Sequence, residues 1–212
     1  GIVICLRLIP TENKNVKKID ATKPDKYFEK HVVYIKNINE SLDPEYQAMI
    51  IKRIFYLFEA DYIAIDTHGA SLSVIYEMVK TTYDRDYDIQ YKAFDSINDQ
   101  KTSEKCKVDP KDRQVVMFNI NVAGGSAQDI QHEYNTYTRS ELVMNRIKFP
   151  AMRSEGETHL REKYNYDKQD AVTQAEWISV FLQCDALIAE AVNLERVITS
   201  NSDTRVILSI PK

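Results

Sequence analysis

Cysteine is scarce in this sequence, positive charge is not in excess, and no long apolar run occurs. The three cysteines, Cys5, Cys106 and Cys184, are odd in number and far apart. They offer neither a disulfide framework nor metal-ligand spacing, which predicts reduced thiols in a cytosolic setting. No apolar stretch approaches the roughly 18 residues that a membrane span needs. No basic, then apolar, then small-residue start marks a secretory leader. The 28 Lys and Arg are outnumbered by 32 Asp and Glu, leaving a net charge of −4. That balance argues against a protein that coats nucleic acid through bulk positive charge. It leaves room for a nuclease, because a carboxylate-rich metal site is itself acidic. There is no GxxxxGK[ST] loop, which removes that route to ATP hydrolysis, and no GxGxxG, GxSxG, HExxH or CxxC.

What is present is a chain of 212 residues, long enough for one domain with a sizeable core. Ile2–Ile9 is rich in Ile, Val and Leu and reads as a strand buried on both faces. Residues 11–26 are polar and read as a connection. Residues 27–38 carry the β-branched and aromatic content of a second strand, able to pair with the first as a hairpin. Asp43-Pro44 is a helix start, with Asp as N-cap and Pro at the first helical position. It leads into a helix with Ile50, Ile51, Ile54, Phe55, Leu57 and Phe58 on one broad face. A short strand follows at 61–66, then a helix at 73–84 with Val74, Met78 and Val79 at core spacing, then a strand-like run at 87–94. Residues 95–113 are charged and read as a loop. Residues 114–122 return to strand character, Gly124-Gly125 breaks it, and Ser126 caps a helix to about Ile147. The stretch at 148–170 reads as mixed surface. A long helix over 170–196 has Ile178, Phe181, Leu182, Leu187 and Ile188 inward, and a final hairpin turns around Asn201-Ser202-Asp203. Helices alternating with buried strands predict an α/β fold, a mixed central β-sheet flanked by helices.

Asp66 is the sharpest candidate for chemistry. It ends an apolar strand, the place where ligand sites gather in open α/β sheets. Gly69, in the turn that follows, permits close backbone approach. An acid there reaches a metal ion without burying its charge unpaired. The competing reading is that Asp66 caps the next helix. His68 is a secondary candidate for metal or phosphate, against a solvated turn residue. Asp203 is another, against an ordinary turn-forming Asp. Lys101, Lys105, Lys107, Lys111 and Arg113 offer contacts to DNA phosphates, but interleaved acids favour a solvated loop.

The run Ala60-Asp61-Tyr62-Ile63-Ala64-Ile65-Asp66-Thr67, followed by Gly69, Val74 and Met78, resembles a motif of the nuclease half of tailed-bacteriophage terminase large subunits. Arg7–Thr11 and Leu187–Glu195 are similar to that family as well. The resemblance covers most of the chain, and its specific part is the central motif. It implies a ribonuclease H-like fold and a two-metal DNA endonuclease that uses Mg²⁺ or Mn²⁺ and cuts concatemeric double-stranded DNA during packaging. It further implies a portal protein and a small terminase subunit as partners, no membrane, and the cytoplasm of a bacterial host as location. By the match, Asp66 corresponds to the family's second acid. The family's first acid lies on a strand before the one starting at Ile2, and its last acid follows the final hairpin. This chain of residues 1–212 is therefore expected to be a single nuclease-like domain lacking that first strand and the C-terminal acidic segment, and to bind metal and cut poorly alone. Two alternatives remain: a non-catalytic ribonuclease H-like docking module, and another ribonuclease H-like enzyme such as a resolvase or transposase.

Overall fold

The computed structural model describes residues 2–10, 28–38, 43–67, 71–121, 127–192, 195–197 and 207–209. In chain order the elements begin with β1 (Ile2–Pro10), β2 (Phe28–Asn37), α1 (Pro44–Leu57), β3 (Ile63–Asp66), α2 (Ser71–Met78), β4 (Thr82–Asp84), β5 (Ile89–Tyr91) and β6 (Ala93–Ser96). They continue with α3 (Gln100–Lys105), β7 (Arg113–Ile120), α4 (Ala127–Val143), β8 (Ile147–Lys148), α5 (Arg153–Tyr164), α6 (Ala171–Val192), β9 (Glu195–Val197) and β10 (Ile207–Ser209). The fold is mixed α/β, with sheets of strands flanked by helices. The described residues fall into two compact units, Ile38–Ile130 and Ile2–Asn37 with Gln131–Lys212.

The first unit holds a three-stranded parallel sheet in the order β3-β7-β6. Parallel neighbours need crossovers, and helices α2 and α3 lie in the connections between these strands. The side chain of Asp43 caps α1 by accepting from the Glu45 N–H at 3.0 Å, and Pro44 follows it, as the sequence predicts. Ile50, Ile51, Ile54 and Phe55 of α1 are buried with Val74, Ile75, Met78 and Val79, and Phe94 and Met117 supply the sheet's share of this core. Each such side chain contributes about 1.5–3 kcal/mol over its exposed state. Phe55 meets Phe94 with ring centroids 4.7 Å apart, and the Tyr56 hydroxyl donates to Gln114 Oε1 at 2.6 Å, fixing α1 on the sheet. Leu57 and Phe58, expected on the buried face, are exposed at the helix end.

Helix α2 stops at Met78 rather than running to Asp84. Lys80 N–H donates to Glu77 O in a tightened turn, and the β-branched pair Thr81-Thr82 then enters the β4–β5 hairpin. The charged stretch at 95–113 is more ordered than its composition suggests. Asp99 caps α3 through the Lys101 N–H, and Asp109 caps a single 3-10 turn at Pro110–Asp112.

In the second unit β1 pairs antiparallel with β2, the hairpin expected from sequence, and β8 joins the other edge of β2 in parallel. But β1 is not buried on both faces, since Ile2, Ile4, Leu6 and Leu8 are exposed. Val32, Ile35 and Cys184 form its core, with Ile147, Phe149, Leu187 and Ile188 packed around them. The Asp170 carboxylate caps α6 by accepting from the N–H groups of Val172 and Thr173, both at 3.0 Å. Ile178 faces inward as predicted, whereas Leu182 is exposed. Helix α4 ends at Val143, short of Ile147, because Asn145 takes a left-handed conformation (φ 54°) and Arg146 N–H returns to Glu141 O. Ile147 and Lys148 are thereby released to pair with β2. The stretch at 148–170 contains the twelve-residue helix α5, which its polar composition conceals. Strands β9 and β10 pair antiparallel, with β9 taking Glu195 and Arg196 that were expected in the helix, while the expected turn at Asn201-Ser202-Asp203 lies outside the described residues.

Candidate active site at the end of β3

Asp66 is the last residue of β3 and is exposed. Its strand pairs with β7 in the register Ile63–Met117, Ala64–Phe118, Ile65–Asn119 and Asp66–Ile120. Alternation along the strands then sorts the sheet into two faces. Met117 and Asn119 are buried, on the side of Ile63 and Ile65. Ala64, Asp66 and Phe118 are exposed on the other side. The acid therefore stands at the C-terminal edge of a parallel sheet on its open face, where a charged group keeps its hydration and a ligand has access.

Helix α2 begins at Ser71, five residues beyond Asp66. Residues 68–70, on which the cap reading of Asp66 turns, lie outside the described residues. The chain leaving the strand is held at Thr67, whose N–H and Oγ1 both donate to Ile120 O, each at 3.0 Å. His68 and Gly69 lie outside the described residues, and so does Asp203. Asp61 is exposed and lies two residues ahead of β3, which begins at Ile63 rather than at Asp61. The basic cluster is partly engaged in the unit itself. Arg113 pairs with Asp95 at 3.3 Å, Lys111 lies 3.9 Å from Asp109, and Lys105 Nζ sits over the Tyr76 ring.

An ionised carboxylate offers oxygen only, which suits Mg²⁺ or Mn²⁺. Asp66 fits one position of such a site. Among the described residues no group of three His, Cys, Asp or Glu side chains comes together to hold a metal ion.

Behind the sheet edge lies a polar network that the sequence reading did not single out. Asn98 acts as an extra rung of the ladder. Its Oδ1 accepts from Asn119 N–H at 2.8 Å, and its Nδ2 donates to Asn119 O at 2.9 Å. The buried Asn119 amide donates to Thr102 Oγ1 at 2.9 Å and Asp99 Oδ2 at 3.2 Å, and its Oδ1 accepts from Ser96 Oγ at 3.0 Å. A satisfied buried network of this kind rigidifies the strand end it serves. The sequence signal was the Asn98-Asp99 pair three residues ahead of Thr102, a helix start inside a segment read as loop. On the hairpin side, Arg53 grips the buried Asp84 with two bonds of 2.7 and 2.6 Å and reaches Asp86 at 2.8 Å. The Arg53 guanidinium holds the Asp84 carboxyl below the ordinary carboxylate range. That pair locks the hairpin to α1 and stands apart from Asp66.

Comparison with protein-family models, with curated proteins and with solved structures found no match. No helix among the described residues is long and apolar enough to cross a membrane.

Proposed function

We propose that this chain is a ribonuclease H-like, metal-dependent DNA endonuclease domain of the type found in terminase large subunits of tailed bacteriophages. One observation carries the reading. Asp66, in the motif that resembles that family, is the exposed last residue of a parallel strand, on the open face of the sheet, with helix α2 following from Ser71. In this reading Asp66 supplies one carboxylate of a site for two divalent ions, Mg²⁺ or Mn²⁺. Bound ions in such a site activate water and stabilise the leaving oxygen of a phosphodiester. Asp66's own part is to present an ionised oxygen donor at a fixed point beside the DNA backbone. Portal protein, small terminase subunit and a host-cytoplasmic setting belong to the same proposal.

The test is plasmid cleavage in Mn²⁺ by the protein at its full native length, set beside Asp66→Ala. Removing even the outer partners of a metal ligand costs about 10–100-fold in affinity or activity, so loss of the ligand is expected to cost at least that. Cleavage unchanged in the variant removes Asp66 from the site.

A second reading, a docking module without catalysis, draws on the exposed apolar row Ile2, Ile4, Leu6 and Leu8 of β1. It predicts a melting temperature insensitive to Mn²⁺.

A further inference from the structure

We infer that Thr67 is a positioning residue that sets the Asp66 carboxylate through the end of β7. The inference rests on the metal-dependent reading of Asp66 above and adds to it the device that aims the acid. Two donors of Thr67, its N–H and its hydroxyl, converge on one acceptor, Ile120 O, each at 3.0 Å. Ile120 is also the register partner of Asp66. The N–H alone would satisfy that carbonyl and extend the ladder by one step. The hydroxyl, in a half-buried residue, could turn to water at little cost. Its bond to a carbonyl already in use instead fixes χ1 of a side chain that is stiff at that torsion, and with it the backbone immediately after the acid.

The acceptor is itself immobilised from the far side. Asn119, next to Ile120, is bound through both its N–H and its C=O by the Asn98 side chain. Its own side chain is tied to Ser96, Asp99 and Thr102. Asp66 therefore stands where the strand ends, and Thr67 carries the rigidity of β7 one residue past it. A metal ligand needs its geometry held to within about 0.5 Å, which calls for such support at a strand end.

The test compares wild type, Asp66→Ala, Thr67→Val and Thr67→Ser in the full native chain. Mn²⁺ affinity is read from paramagnetic relaxation of water protons, and melting temperature is read without metal. Thr67→Val keeps the branched shape and deletes the hydroxyl, and is expected to weaken Mn²⁺ binding by about 10-fold. Thr67→Ser is expected to restore it. Wild-type affinity in a folded Thr67→Val, alongside the loss in Asp66→Ala, overturns this inference and leaves the metal reading standing. An equal loss in Thr67→Ser and Thr67→Val overturns it too, since the hydroxyl is then not the agent. Wild-type affinity in Asp66→Ala overturns both readings together. If Thr67→Val does not fold, Thr67→Ala takes its place under the same criteria.

Discussion

Lys52 stands in the apolar stripe of α1 with its side chain fully buried. Its Nζ donates to Lys80 O at 2.5 Å and to Thr82 Oγ1 at 3.0 Å, and lies over the Phe94 ring. One side chain thus joins α1 to the end of α2, the start of β4 and the sheet. Both bonds can be donated by a neutral amine, so loss of the proton leaves the acceptors satisfied. Burial pulls the ammonium down to about 7, against the opposite pull of Cys106 and Glu77. An unfolded lysine keeps its proton to about pH 10.4. Between those values the unfolded chain binds the extra proton, so the Lys52 contribution makes stability rise with pH, by at most about 1.4 kcal/mol per unit. The slope vanishes below pH 7, where both states are charged. Urea unfolding at pH 7.5 and 9.5 is expected to show wild type gaining on Lys52→Met across that interval, and a constant difference would place the charge in water. Nothing local in the sequence announces this residue. Helical periodicity marks Ile50, Ile51 and Ile54 as buried, and a lysine between them reads as the helix's polar edge. Its acceptors, Lys80 O and Thr82 Oγ1, come from about thirty residues away, beyond any windowed pattern.

Helices α5 and α6 show why elements differ in legibility. Helix α6 carries enough apolar residues for its existence to be read directly, and Asp170 marks its start, although it ends at Val192 rather than Arg196 and Leu182 faces outward. Helix α5 is polar but for Leu160 and Tyr164, and its one buried position is a glycine, Gly156. A Cβ on Gly156 would lie 2.6 Å from three ring carbons of Phe181 on α6. The missing side chain is what lets the two helices approach, a packing fact that hydropathy does not encode. The substitution Gly156→Ala gains about 1 kcal/mol of helix propensity but forces the ring or the helix to move, which costs about 1–3 kcal/mol. The expected net result is destabilisation of up to about 2 kcal/mol in a denaturant midpoint, with Phe181→Leu in the same chain recovering it. A Gly156→Ala variant as stable as wild type would show that the ring yields freely. The strand ending in Asp66 was legible for the opposite reason: a short apolar run, an acid and a glycine turn are all local. What orders its surroundings was not, because Asn119 and Asn98 are brought to Ile120 and Thr67 by pairing across the sheet.

At the scale of the whole molecule, charge decides how DNA would be held. The chain has a net charge of −4 and a pI near 5.7. Part of its basic cluster is already committed: Arg113 to Asp95, Lys111 to Asp109, Lys105 to the face of Tyr76. The acidic excess gives no bulk positive field to displace counterions from a duplex, and each phosphate neutralised adds about 0.9 to the salt slope. A site built on carboxylates repels phosphate until divalent ions reverse its local sign. Duplex binding by the full native protein should therefore depend on metal. Fluorescence anisotropy of a labelled duplex at about 150 mM salt, where screening acts beyond about 8 Å, is expected to show little binding in EDTA. Binding should appear with Ca²⁺ or Mn²⁺, with a shallow salt dependence, a log–log slope of about −2 to −3. Asp66→Ala should lose the metal-induced part and leave the residual binding unchanged. Tight binding in EDTA with a steep salt slope would move DNA recognition to lysines and arginines and away from Asp66. No binding under either condition would favour the docking module, whose contact would then be sought on the exposed apolar row of β1.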